Sequence, residues 1–468
     1  MSSSATLSAA VPPRAVPTLG TLLGLAWPIV ISRATQVVIG VSDAVMVAGL
    51  GKAALAATTT GALNAFSMLI LPMGIVFIVS TFSSQLYARG DLAGARRYGF
   101  YGLAVAVGTQ GLCFAGLAVR GRVLDLFPYD PQVRQLIGDY LLYRLASGGA
   151  AIGMEALANY YGGLGKTRVP MIASVAAMVL NVFANWVLIG GHLGAPALGV
   201  KGAALANTIC TTVAFVGLLA KFLLDGRAAR AVLPRLHLRE LGRMLRFGLP
   251  SGLNWFFEFF AFLVFVNVVM AGLGTTSLAA IMAVFQINSL SFMPAFGLAS
   301  AGAILVGQAI GAGAKDEVPR IVRLTFLAAG TWQGLVGLAY VAIPGLLFAV
   351  FTSGAGDDGS LRAAGVRMLV FSAAWQLFDA AATTLAEALR AAGDTAFTLW
   401  ARLVLAWAIF TPGAYVTVRS MGWGDGGAVF WLVLYLALLA AVLLVRFRGG
   451  AWRRIRLTDP IPEPTPLP

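Results

Sequence analysis

The sequence predicts an all-α integral membrane protein: twelve transmembrane helices in two pseudo-symmetric six-helix bundles. Three observations predict it. Hydrophobic residues make up 59% of the 468-residue chain and charged residues 11%, with a mean hydropathy of +0.84. A soluble domain is about a quarter charged, so a soluble enzyme is excluded, and so is a disordered chain. Second, apolar runs long enough to span a bilayer, about 20 residues each, recur from end to end between glycine-rich turns. Third, the chain repeats itself. Val47–Ala57 (VAGLGKAALAA) and Met270–Ala280 (MAGLGTTSLAA) agree at seven of eleven positions, and the same offset maps Gln85 onto Gln308 and Arg97 onto Arg320. Later in each half, Leu164–Thr167 answers Ala392–Thr395.

Apolar periodicity places helices at about 20–48, 53–85, 98–119, 136–162, 169–191 and 199–224 in the first half. The second half holds about 243–272, 276–310, 321–351, 364–390, 396–420 and 426–446. Gly-Leu-Gly turns at Gly49–Gly51 and Gly272–Gly274 and the glycine cluster Gly162–Gly165 punctuate them. Six spans per half is an even number, so the halves run parallel. Their axis then lies along the membrane normal, with a central cavity between them. The domains expected are an N-lobe at 20–224, a linker at 225–246, a C-lobe at 247–446 and a tail at 447–468, whose Pro460–Pro468 stretch is expected to be disordered.

The formal net charge of +14 invites a nucleic-acid partner. The cations are scattered between apolar spans, however, which fits loops facing anionic lipid and excludes a basic nucleic-acid domain. With the N-terminus inside, inner segments carry 23 of the 33 Lys and Arg residues and outer segments eight. That bias predicts both termini in the cytoplasm, in a multi-pass inner (plasma) membrane protein. The first 19 residues carry one cation, three prolines and no apolar core, so no cleaved signal peptide is expected. Cys113 and Cys210 lie in apolar spans, which argues against a disulfide framework.

The run GVSDAVMVAGLGKAALAA, the later GLPSGLNWFFEFF and LFDAAATTLAEALRAAGDT together resemble the multidrug and toxic compound extrusion (MATE) transporters, in family order from about Leu22 to about Leu444. The resemblance implies an antiporter of two six-helix bundles that exports organic cations against sodium or protons. Glu258 and Asp379 match the two C-lobe carboxylates of the NorM-like bacterial branch. The family's N-lobe cation site falls on Asp43, Asn181 and Asn185, with Asn207 as a further match. One branch carries aspartate where Asn185 stands.

An ionisable side chain at mid-membrane costs roughly 2.5–3.5 kcal/mol on insertion scales, so each requires a reason. Asp43 with Asn181 and Asn185, one helical turn apart, offers hard oxygen donors for a sodium ion; helix-pairing hydrogen bonds are the alternative. Glu258 stands among Trp255, Phe256, Phe257, Phe259 and Phe260, of which helical spacing lets only some face a cavity. Aromatic faces there suit flat organic cations. Glu258 and Asp379 are expected to form one acidic pair. Arg33, Gln36, Trp255, Phe256 and Gln286 are the expected cavity wall. Arg33 is read either as a counter-ion facing Glu258 or as lining of the cytoplasmic vestibule. Glu155 and Arg144 share a helix face, as cavity lining or as a structural pair, and Glu387 with Arg390 reads as an exposed intrahelical pair. His192 and His237 fall in connecting segments, and no nucleotide-binding loop or metal-protease motif occurs.

The function expected is therefore secondary active multidrug efflux by alternating access, without catalytic residues and with Na+ or H+ as the coupling ion in place of any cofactor. Its substrates are small organic cations, and a monomer in the bilayer is expected. A lipid-linked precursor flippase of similar architecture, an intramembrane lipid-modifying enzyme and a passive channel are the alternatives.

Overall fold

The computed structural model describes residues 17–228, 236–352 and 359–458. Among the described residues the elements are helices and no strand occurs. α1 spans Leu19–Ala48 and begins on a reciprocal cap, the Thr18 and Thr21 hydroxyls each accepting the other's backbone N–H. Next come α2 (Lys52–Ala88), interrupted at Phe77, and α3 (Leu92–Leu124), whose first turn is held by Gly94 N–H donating to Asp91 at 2.7 Å. α4 is broken into Pro131–Ala146 and Gly148–Gly163. α5 (Arg168–Gly190) ends on Gly191 at φ 74°, a conformation that favours glycine, and α6 spans Val200–Ala228. The second half runs α7 (Leu238–Leu273), α8 (Thr275–Gly311), α9 (Val318–Ala342), α10 (Ser360–Ala391), α11 (Thr395–Ser420) and α12 (Gly424–Arg448).

Eleven of these are long and apolar enough to cross a membrane. The twelfth, α4, is split at Ser147 and carries Arg134, Asp139, Arg144 and Glu155, so neither piece qualifies alone. The single helix expected at 321–351 is two: the chain leaves the helix at Ile343 (φ −132°), and Pro344, lacking an N–H, starts a short helix, Pro344–Thr352. The stretch expected as a linker is largely helical extension, since α6 continues to Ala228 and α7 starts at Leu238. The proline-rich tail and Arg14 lie outside the described residues. Cys113 and Cys210 are both free and buried.

The sequence repeat has a structural counterpart. Gln85, at the end of α2, donates to the Ala391 carbonyl at the end of α10 (2.9 Å). Its repeat mate Gln308, at the end of α8, donates to the Gly163 carbonyl at the end of α4 (3.3 Å). Each half therefore reaches into the other by the same device, as a two-fold relation requires. Around these bonds the seam between the lobes is thin. A Cβ on Gly74 of α2 would lie 2.6 Å from the Gly252 Cα of α7, and one on Gly252 would lie 2.5 Å from the Leu71 carbonyl oxygen. Gly307 and Gly311 of α8 meet Ser84 and Gln85 just as closely. Only glycine permits this approach.

Candidate functional site

Two cavities of about 320 and 340 Å³ lie on either side of that seam, one walled mainly by N-lobe helices and the other mainly by C-lobe helices. Phe66 and Arg390 line both. Arg390 is buried, its Nε donating to Glu387 (3.2 Å) and its Nη1 to the Phe77 carbonyl at the α2 interruption (2.9 Å). The pair read from sequence as exposed is thus buried between the lobes. Each charge has a partner there, which is the condition on which a buried ion pair persists.

In the N-lobe, Asp43 of α1 accepts from Asn185 Nδ2 of α5 (2.5 Å) at one oxygen and from Asn207 Nδ2 of α6 (2.6 Å) at the other. Asn185 Nδ2 also donates to Asn181 Oδ1 (3.1 Å), one turn away on the same helix. Asp43, Asn181 and Asn185 are buried, and Asn185 Oδ1 has no donor. Asn181, Asn207, Gln36 and Arg33 line the cavity, while Asp43 and Asn185 stand immediately behind that wall. Arg33 does not face Glu258. Its Nη2 pairs with Glu155 Oε1 of α4 at 2.7 Å, its guanidinium lies 5.4 Å from the Phe77 ring centre and 5.6 Å from that of Phe296, and Asn159 donates to the same carboxylate oxygen. Arg144 does not pair with Glu155; it donates to Ser147 Oγ (3.3 Å) at the break in α4. Both residues line the N-lobe cavity, so of the two roles read from sequence the structure shows the lining and not the pair.

In the C-lobe, Glu258 of α7, Asp379 of α10 and Arg402 of α11 line one cavity. Glu258 forms an ion pair with Arg402, and Asp379 accepts from Gln333 Nε2 of α9 (2.9 Å). Positions 255, 258, 259 and 262 share one face of α7, which brings Trp255, Phe259 and Phe262 onto the wall with Glu258. Trp255 stacks on Phe77 at 5.2 Å and meets Phe296 edge-on at 5.7 Å. Phe256 is on the other face and packs with Phe257 and Phe260, lining neither cavity. Gln286 is exposed on α8, whose neighbouring Ala283, Ile287 and Ser291 turn inward, and it too lines neither cavity.

Sequence reasoning missed Arg402 and Gln333. Arg402 sits two turns inside an apolar helix that starts at Thr395, and that depth is the signal available in the sequence. Gln333 carried none, being one polar residue on a mostly apolar helix.

The sequence profile of the MatE family matches residues 28–187 and 250–416. Curated relatives include the probable multidrug resistance protein NorM of Mesorhizobium japonicum, 29% identical over 455 residues that cover 94% of each chain. That of Pseudomonas putida is 30% identical, over 94% of this chain and 95% of its own. Among solved structures, a MATE in complex with MaL6 superposes with a TM-score of 0.85 at 20% identity, covering 94% of this chain and 98% of that one. An outward-facing multidrug resistance MATE family transporter of the MOP superfamily gives 0.82 at 20% identity and the same coverage. With the profile spread over both halves, and both halves built as reciprocal six-helix bundles, the chain belongs to the MatE family of multidrug and toxic compound extrusion transporters.

Proposed function

We propose that the protein exports organic cations from the cytoplasm in exchange for sodium ions or protons, by exposing its cavities alternately to the two sides of the inner membrane. The observation that carries this is the C-lobe cavity: aromatic walls and an excess of carboxylates at membrane depth suit a flat, charged organic molecule. The names borne by the relatives point the same way, since they are multidrug resistance proteins.

Coupling requires that ion and drug each bind the two states unequally. In this reading Asp43, Asn181, Asn185 and Asn207 hold the coupling cation in the N-lobe. The carboxylate supplies the charge, and the buried, unpartnered Asn185 Oδ1 is an oxygen donor ready for a small hard ion. Glu258 and Asp379 take the organic cation, or a proton or sodium ion in its place. The lobes, 20–224 and 247–446, rock about the seam, and the protein works as a monomer with both termini and the 225–246 segment in the cytoplasm. It is a transporter and carries out no covalent chemistry on its cargo.

A flippase for lipid-linked precursors is favoured by one feature, the three arginines on the N-lobe wall. Two of them, Arg33 and Arg390, are committed to Glu155 and Glu387, which weakens that reading. Proteoliposomes decide the matter. Under an imposed sodium or pH gradient, organic-cation dyes should accumulate against their own gradient; lipid scrambling without dye transport would favour the flippase. Orientation has its own test, with cysteines at Arg235 and Asp357, both outside the described residues, in a background lacking Cys113 and Cys210. They should label from opposite sides, and same-sided labelling discards the topology.

A further inference from the structure

The C-lobe cavity already contains a cation of its own. Five charged residues line it, Glu258, Asp379, Glu387, Arg390 and Arg402, three carboxylates against two guanidiniums. Arg390 is committed to Glu387 and to the Phe77 carbonyl across the seam. Arg402 is committed to Glu258 alone among the carboxylates. The two partners are unequally placed: the Glu258 side chain is 43% exposed and that of Arg402 14%. Both line the cavity, and the guanidinium is the more buried of the two, so the carboxylate keeps the more open face.

We infer that Arg402 is a tethered counter-cation that fixes the capacity of the C-lobe cavity at one positive charge, and so selects monocationic over dicationic cargo. The inference rests on the exporter reading and adds to it a selectivity residue. The physical reason is the charge balance. With all five groups ionised the wall carries one net negative charge, which a single monovalent cation neutralises. A second positive charge in the same low-dielectric space would be uncompensated and strongly disfavoured. An arginine suits the role because its guanidinium stays protonated and so cannot release the site by titration.

Ethidium and propidium test this, since they share a ring system and differ by one quaternary ammonium group. Binding of each to the purified full-length protein in detergent is read by fluorescence anisotropy. Arg402→Gln, with Arg402→Met as a second neutral variant, should raise propidium affinity at least about tenfold relative to ethidium, because the wall then carries two net negative charges. Glu258→Gln should weaken both dyes by leaving the wall neutral. The double variant Glu258→Gln/Arg402→Gln restores one net negative charge and should recover ethidium binding to within about threefold of wild type, a non-additivity expected of groups in contact. An unchanged propidium-to-ethidium ratio in both neutral variants overturns the inference. So does a double variant as weak as Glu258→Gln alone. If wild type binds neither dye, the exporter reading fails, and this inference with it. That outcome is distinct from wild-type binding with an unaltered ratio.

Discussion

The two cavities are nearly equal in volume, and share Phe66 and Arg390, but their acids are presented in opposite ways. In the N-lobe, Asp43 is withdrawn behind the wall and each of its oxygens is already held by an amide. Reaching it means displacing short side chains in a space suited to a bare ion. In the C-lobe, Glu258 and Asp379 stand on the wall itself, between aromatic rings. Reaching them means laying a flat molecule against Trp255, Phe259 and Phe296. A carboxylate's partner and depth, more than its presence, thus determine what size of cation it can serve.

The largest effect should come from removing the acids on the C-lobe wall. Glu258→Gln and Asp379→Asn should each reduce gradient-driven dye export by about 10- to 100-fold, the loss expected for one charge-assisted contact, with normal membrane insertion. The double variant, measured in proteoliposomes, should be worse than either single, since it leaves the wall with one net positive charge. A double variant no worse than either single would mean that the net charge of the wall does not govern export. Next in size is the withdrawn acid. Asp43→Asn should lower ion-driven transport about tenfold while leaving equilibrium dye binding in detergent unchanged, and Asn185→Asp should tighten cation binding by adding a second charge. Equal damage to dye binding would erase the distinction between the cavities. A last effect, on stability and not on transport, concerns the ion pair on the N-lobe wall. Arg33→Met should cost about 1–3 kcal/mol by leaving Glu155 without its cation. Arg33→Met/Glu155→Leu should recover most of it, as read by thermal unfolding in detergent.

Much of this comparison was legible in the sequence, for reasons of scale. Span length and the 223-residue offset are long-range patterns, and they carried the twelve spans, the two halves and the reciprocal Gln85 and Gln308. Asp43, Glu258 and Asp379 were legible because a carboxylate inside an apolar run is costly wherever it points. Partnerships were not. Arg33 and Glu155 are 122 positions apart, and Glu258 meets Arg402 from another helix, so no spacing rule reaches either pair. Phe256 and Gln286 were misplaced because helical phase in a mostly apolar segment gives no contrast between cavity and lipid. The breaks at Ser147 and Ile343 were read through for a related reason, since apolar content continues across both.

The seam has a mechanical consequence. At its closest points the lobes touch backbone to backbone, through Gly74 on Gly252 and through Gly311 on Gln85 at the end of α2, with Gly307 against the small Ser84 side chain beside it. Interlocked side chains would act as gear teeth, and every stroke would have to withdraw them through unfavourable rotamers. Bare helix faces act as a plain bearing, on which one lobe can turn against the other by exchanging weak dispersion contacts and a few hydrogen bonds. Such a bearing tolerates almost no thickness. A single methyl group at Gly252 is a shim, and it should jam the stroke while leaving both cavities, and whatever they hold, intact.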